Sequence, residues 1–448
     1  MATRSLYSKV PSNLPYFCRR LKSSVAASIS SGQRVTIPKL EEPYINLDDS
    51  KELFSSVTTG KLMASTFTLH VVLNEIMIDL GSWVMNSRLM KSPLSREVLL
   101  GSIEHTLYHH FCGGKTLREA DRAARKLWDS GLQAMLDYGM EHADDNASCD
   151  QNVEEIIQTI ASTKSHPTSQ RVSDLLRWEH KDKSLHLPWK LHSFPLLSDS
   201  SPLYHTATRP EPLTLEEEHD LELGFQRLIK ICENSLEANV PLLIDAEDTS
   251  IQPAIDYFTY YAAINYHRDD SPLIFNTIQA YLKDAKERLV MVKNAADKAG
   301  VPMGFKLVRG AYMSSERQLA FSLGANSPIH DCIQETHACY NDCAAFMIEG
   351  IANGSGSLIL ATHNIESGKL AAAKVVSLGM KKDNQNLQFA QLYGMAEALS
   401  FGLRNAGFKV SKYLPFGPVE QIVPYLLRRA EENRGFISTA SMDRQLMR

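Results

Sequence analysis

Apolar and polar positions fall in two different rhythms along the chain. Between about residues 61 and 100 the apolar positions keep helical spacing. Thr116-x-x-Glu119 then predicts a capping box opening a helix that runs to about Ser130. From about residue 131 the rhythm changes. Short apolar and β-branched runs recur, each closing on polar residues and each followed by a helical stretch. They are Gln133–Gly139, Pro241–Asp248, Pro272–Tyr281, Gly304–Tyr312, Ser357–Asn364, Leu387–Met395 and Val410–Gly417. Strands alternating with helices predict a parallel sheet. Seven such units in one chain favour a closed (β/α)8 barrel over an open sheet. No GxGxxG follows a strand and no P-loop is present, so a dinucleotide-binding open sheet lacks its fingerprint.

Composition narrows the classes. The 448 residues are 44% hydrophobic and 22% charged, with a formal net charge of −5, an ordinary globular balance. A slightly acidic chain lacks the cationic field that phosphates attract, so no nucleic-acid partner is expected. No run approaches the ~20 apolar residues that span a bilayer. The seven cysteines are scattered and form no CxxC pair, which suits free thiols in a reducing compartment. His330, Cys332, His337, Cys339 and Cys343 crowd one segment, with Cys339 and Cys343 on one helix face. Partly buried thiols and solvated histidines account for this better than a metal site, and no metal is expected.

The first forty residues stand apart. They contain no Asp or Glu, seven Lys or Arg and eight Ser, the composition of an organellar transit peptide. The expected organisation is a transit peptide over 1–40, a helical arm over 41–130 and a barrel over 131–448.

The residues closing each strand carry the functional signal, because strand C-termini form the mouth of a barrel. They read Asp137-Tyr138, Asp245-Ala-Glu247-Asp248, Gln279-Ala-Tyr281, Lys306-x-x-Arg309-Gly310-Ala-Tyr312, Thr362-His363-Asn364, Tyr393-Gly394 and Tyr413. One polar strand end is ordinary loop chemistry; seven together favour a site lined from all sides. A final helix over 418–434 carries Arg428-Arg429 and Glu431-Glu432. Two long guanidinium forks on adjacent residues are able to converge on one carboxylate; a solvated charged face is the alternative.

Over Gln133 to Arg434 these residues resemble the proline dehydrogenase family, most closely its plant mitochondrial members. The resemblance rests on Ile244-Asp245-Ala246-Glu247, Thr277-Ile278-Gln279-Ala280-Tyr281, Lys306-Leu-Val-Arg309-Gly310-Ala311-Tyr312, Ala361-Thr362-His363-Asn364, Gln391-Leu392-Tyr393-Gly394-Met395, Tyr413-Leu-Pro-Phe-Gly417 and Tyr425-Leu-Leu-Arg428-Arg429 with Glu432. It implies a barrel that binds FAD, oxidises L-proline to 1-pyrroline-5-carboxylate and passes electrons to a quinone at the matrix side of the inner mitochondrial membrane. By the same resemblance Arg428 and Arg429 clamp the proline carboxylate and Glu432 is their ion-pair partner. Tyr413 packs on the substrate ring, Tyr312 and Leu392 are further pocket walls, and Asp245 organises the pocket. Gln279, Lys306, Val308, Gly310, Thr362, His363 and Asn364 match positions that hold the flavin and its phosphates, glycine at 310 allowing close backbone approach.

One departure stands out. The family's lysine-bearing strand, roughly V-K-[IL]-[ST]-A-L, falls between the first strand and that of Asp245, and no such run occurs here. About twenty residues look removed near Ser169–Gln170, which leaves seven strands and deprives Asp245 of its expected lysine. Leu187–Leu197 is a weak substitute strand, demoted by Pro188 and Pro195, and Lys164 a weak substitute lysine. Residues 183–213 carry five prolines and read as a long loop, ended by the capping box Thr214-x-x-Glu217. The alternative function is therefore a catalytically inactive homologue lacking that strand.

Overall fold

The computed structural model describes residues 45–47, 49–72, 92–139, 145–163, 168–172, 214–268, 271–423, 425–426, 443 and 445–447. The chain divides into two units at Pro43–Tyr44, and every described residue belongs to the second. Residues 1–40, Lys164, Leu187–Leu197, Arg428, Arg429 and Glu432 lie outside the described residues.

Eight strands close a barrel in chain order: β1 Gln133–Tyr138, β2 Thr168–Val172, β3 Leu242–Ile244, β4 Ile274–Gln279, β5 Gly304–Val308, β6 Ser357–Ala361, β7 Leu387–Leu392 and β8 Val410–Phe416. Every neighbouring pair is parallel, including β1 with β8. The expected (β/α)8 barrel is present, and the expected gap in it is not. The strand that the sequence count omits is β2, which places Thr168 opposite Ala134 and Val172 opposite Ile244. Its run Thr-Ser-Gln-Arg-Val contains one apolar residue, so no hydrophobic alternation marks it. Tertiary demand supplies the strand instead: without it β1 and β3 would each expose an unpaired edge and the barrel would stay open. It carries no lysine.

Side chains alternate between two cores, as a period of two requires. Leu242, Ile274, Ile278, Phe305, Leu307, Leu358, Leu360, Phe389, Val410 and Leu414 face outward into the main core beneath the helices. Met135, Leu243, Phe275, Ile359 and Ala390 form a separate layer inside the barrel. Continuing that inward parity toward the strand C-termini reaches Asp137, Asp245, Gln279, Lys306, Val308, His363, Leu392 and Tyr413. The same periodicity that builds the core therefore aims these residues at the mouth.

Of the two predicted capping boxes one forms completely and the other by half. Thr214 accepts the Glu217 N–H at 3.3 Å while the Glu217 carboxylate accepts the Thr214 N–H at 2.8 Å, opening the helix Leu215–Ala238. At the helix Leu117–Asp129, Thr116 accepts the Glu119 N–H at 3.4 Å, but the Glu119 carboxylate takes the N–H of Lys115, one residue earlier. Ahead of it, the helix Pro93–Ile103 runs through one π-helical stretch, Glu104–Tyr108. Tyr108, Phe111 and Cys112 pack with Met395, Ile422, Tyr425 and Leu426, and with Leu392 and Tyr413 at their border. The Tyr108 hydroxyl donates to the Gly417 carbonyl at 2.6 Å. The arm thus covers one side of the mouth, at β7 and β8. Among the described residues no helix is long and apolar enough to cross a membrane.

Candidate active site

The floor of the mouth is polar and buried; its rim is half-buried. Gln279 and Lys306 are buried, whereas Asp245, Val308, Tyr312, His363, Asn364, Leu392 and Tyr413 are each partly accessible. The Lys306 ammonium forms an ion pair with Asp245, reaching from β5 to the residue after β3. The carboxylate expected to lack a lysine therefore has one, from a different strand. Gln279 donates its amide to the Glu247 carbonyl at 2.8 Å, closing β4 onto the same turn. Opposite, the Tyr413 hydroxyl donates to the Asp137 carboxylate, joining β8 to β1.

The β5 and β6 exits are tied by Arg309. Its guanidinium donates to His337 Nδ1 at 2.9 Å, Thr362 Oγ1 at 2.7 Å and Ser367 Oγ at 2.8 Å, and lies 4.3 Å from the centre of the Tyr340 ring. Such a planar fork presents five donors in fixed directions, so one side chain ties several acceptors together. Burial, and then the Arg309 charge, hold the His337 pKa down, so His337 is suited to accept. Thr362 also receives the Asn364 N–H at 3.0 Å, and Asn364 caps the helix Ile365–Ser377 by accepting the Ser367 N–H at 2.9 Å. The Leu392 N–H donates to His363 Nε2 at 3.1 Å. That nitrogen is consequently unprotonated, and the neutral ring's proton sits on Nδ1.

Gly310 has φ +121°, and a Cβ there would meet the Tyr281 ring at 2.2 Å. The neighbour that demands glycine is thus Tyr281. The Tyr281 hydroxyl reaches Glu316 at 3.3 Å, and Glu316 also accepts the Thr249 N–H at 2.9 Å. Burial pushes the Glu316 carboxyl pKa up.

The structure brings Asp245, Gln279, Lys306, Val308, His363, Leu392 and Tyr413 to one mouth on shared parity. Thr362 and Asn364 stand at the same exit, with their side chains engaged in the loop. Tyr312 and Gly310 lie in the β5 exit, at the start of the helix Met313–Ser322. Tyr425 and Leu426, just ahead of Arg428 in sequence, pack at the β8 side beside Tyr413, the two tyrosine rings 6.2 Å apart. Three residues of consequence, Asp137, Arg309 and Lys412, have no role assigned from the sequence. Asp137 and Arg309 do stand at polar strand ends; Lys412, outward on a barrel strand, carries no sequence signal beyond a charge in an apolar run. Among the described residues no group of His, Cys, Asp and Glu is arranged to hold a metal.

A closed parallel barrel whose strand C-termini converge on an ion pair, a histidine and tyrosines is the architecture of a (β/α)8-barrel enzyme. The family profile described as proline dehydrogenase matches residues 120–442. The chain belongs to the proline dehydrogenase family, and its assignment as an oxidoreductase rests on that membership. It is 52% identical to the Arabidopsis thaliana protein named "Proline dehydrogenase 1, mitochondrial", over 94% of this chain and 90% of that one. It is likewise 52% identical to "Proline dehydrogenase 2, mitochondrial" of the same plant, over 91% and 90%. Among solved structures, proline utilization A from Bdellovibrio bacteriovorus, inactivated by N-propargylglycine, superposes with a TM-score of 0.62 at 18% identity. That likeness covers 90% of this chain but only 44% of the longer protein, and it speaks to the fold.

Proposed function

We propose that the chain oxidises L-proline to 1-pyrroline-5-carboxylate, with FAD as hydride acceptor and a membrane quinone as final acceptor. The observation that carries this reading is the Lys306–Asp245 ion pair on the barrel axis side of β5 and β3, ringed by Gln279, His363, Leu392 and Tyr413. The donor set suits FAD. Lys306 and Gln279 offer N–H groups to the polar edge of an isoalloxazine. Val308 and Gly310 offer backbone beside it. Thr362, His363 and Asn364 stand where a helix begins, a position that favours phosphate. The flavin, when bound, supplies the two-electron oxidation.

The rest falls to the protein. Arg428 and Arg429 bind the substrate carboxylate, and Glu432 orients them by ion pairing. Their two charges lower the pKa of the nearby substrate amine, which favours the neutral amine whose lone pair assists loss of hydride from the adjacent ring carbon. Tyr413 packs on the ring, with its hydroxyl tethered by Asp137. Tyr312 and Leu392 close the sides. Asp245 and Lys306 fix one another and so the pocket floor, which is chiefly an orientation effect. In this reading residues 1–40 are a transit peptide, 41–130 a helical arm and 131–448 the barrel. The working place is the matrix side of the inner mitochondrial membrane, in peripheral contact.

The test uses the purified full chain. The reading expects bound FAD and L-proline-dependent reduction of a short-chain quinone. Folded protein that stays colourless with added FAD overturns it. A second reading, an inactive homologue, is favoured only by the lysine-free β2; flavin-loaded protein inert to L-proline would establish that one instead.

A further inference from the structure

The outer face of β8 presents Val410, Lys412 and Leu414 to the helices. Val410 and Leu414 are buried apolar residues, and between them Lys412 is a fully buried cation. Burial pushes its pKa down, while Glu397 pulls it up. An apolar side chain would satisfy this position with less desolvation, so the groups that the ammonium holds are informative. Its three donors have three acceptors: the Met395 carbonyl at 2.7 Å, the Leu392 carbonyl at 3.4 Å and Glu397 Oε1 at 3.0 Å. The helix Glu397–Asn405 begins at this spot, where a cation has the wrong sign for the helix dipole. Two carboxylates compensate. Glu397 pairs with the ammonium, and Asp443 accepts the N–H groups of Glu397 at 2.9 Å and Ala398 at 3.0 Å.

The segment gripped in this way is the β7 exit. It contains Gly394 at φ +76° and Ala396 at φ +50°, a left-handed conformation that strains a residue with a Cβ. On its outer side Tyr393, Gly394 and Glu397 border a cavity of about 160 Å³ shared with Lys61 and His109. Polar contacts add to the packing that holds the turn. His110 Nε2 donates to the Gly394 carbonyl at 2.8 Å. Leu392 is held from both ends, its N–H on His363 and its carbonyl on Lys412.

We propose that Lys412 is a positioning residue that fixes Leu392 against the substrate ring and thereby sets the preference for L-proline over its bulkier 4-hydroxy derivative. This rests on the reading of Leu392 as a pocket wall. The experiment compares Lys412→Met and Leu392→Ala with the unmodified enzyme. It measures flavin content and steady-state kinetics on L-proline and on 4-hydroxy-L-proline. Lys412→Met is expected to retain flavin, to raise KM for L-proline more than it lowers kcat, and to reduce the proline-to-hydroxyproline ratio of kcat/KM by about tenfold, the low end for a one-group change in a pocket. Leu392→Ala is expected to move the ratio the same way. A ratio moved by Leu392→Ala but not by Lys412→Met overturns the proposal. A ratio unmoved by Leu392→Ala overturns the reading of Leu392, and the proposal falls with it. Should Lys412→Met fail to fold because it strands the Glu397 carboxylate, Lys412→Met/Glu397→Gln removes that charge together with the lysine; the same ratio is then read, and an unchanged value overturns the proposal.

Discussion

Lys306 and Asp245 form an ion pair across the barrel mouth, between two strands separated by β4. Their side chains are only 11% and 18% exposed. Removing one partner of such a pair leaves a buried charge uncompensated, which costs about 3 kcal/mol at the low end of the buried range. Lys306→Met is therefore expected to lower stability by that order in urea unfolding and to abolish proline oxidation. The double variant Lys306→Met/Asp245→Leu removes the stranded charge. It is expected to recover most of the stability and none of the activity, which separates the structural role from the functional one.

Tyr413 presents its ring to the mouth while its hydroxyl is tied to Asp137. Tyr413→Phe keeps the ring and cuts the tether, a hydrogen bond to a charged group worth about 1.5 kcal/mol. A rise in KM for L-proline of about tenfold, one such bond's worth, with kcat nearly unchanged, is the expected kinetic result. Equal losses in kcat and kcat/KM would instead mark the hydroxyl as a group needed in the chemical step.

Gly310 sits between β5 and the Tyr312 turn, and Tyr281 occupies the space of its missing Cβ. Gly310→Ala combines a disfavoured φ with a ring clash, together about 2 kcal/mol or more. Flavin retention after gel filtration and the unfolding midpoint are both expected to fall. Tyr281→Ala in the same chain opens the space and is expected to restore part of the flavin, whereas no recovery would show that φ alone matters.

Much of this site is legible in the sequence. Seven apolar runs correspond to seven strands, and in six of them a polar residue at the C-terminal end reaches the mouth because side chains alternate with a period of two; at β7 the inward residue is Leu392, and Tyr393 borders the outer cavity instead. The eighth strand is hidden because Thr168–Val172 has no apolar alternation; closure of the barrel calls it into being. Lys306 was expected to serve the flavin, yet its pairing with Asp245 depends on the angular distance between β3 and β5, which no local pattern encodes. Arg309 is visible in its motif, but its role as a tie between the β5 and β6 exits requires His337, Thr362, Ser367 and Tyr340 to meet from distant parts of the chain. Lys412 is only a charge within an apolar run until its neighbours are known.

Acidification separates two groups, the buried Asp443 and the half-buried His110. Burial raises the Asp443 carboxyl to about 6 from 3.8, so between those values the folded state binds more protons and stability falls as pH rises. Burial lowers His110 to about 4 from 6.5, so in that window the unfolded state binds more protons and stability rises with pH. The two slopes oppose one another. Asp443→Asn removes only the first. Its stability relative to the unmodified chain is expected to increase by about 3 kcal/mol between pH 4 and pH 7.5, at ~1.4 kcal/mol for each tenfold difference in proton affinity between the folded and unfolded chain. Urea unfolding at both pH values measures it, and a pH-independent difference would mean that Asp443 is ionised throughout.

The central claim is that this mouth holds a flavin against L-proline. Anaerobic addition of L-proline to the purified, flavin-bearing chain tests it most directly. The account predicts complete bleaching of the oxidised flavin absorbance by L-proline and none by D-proline, and loss of the response in Arg428→Ala at the same proline concentration. An oxidised spectrum unchanged by saturating L-proline would contradict it.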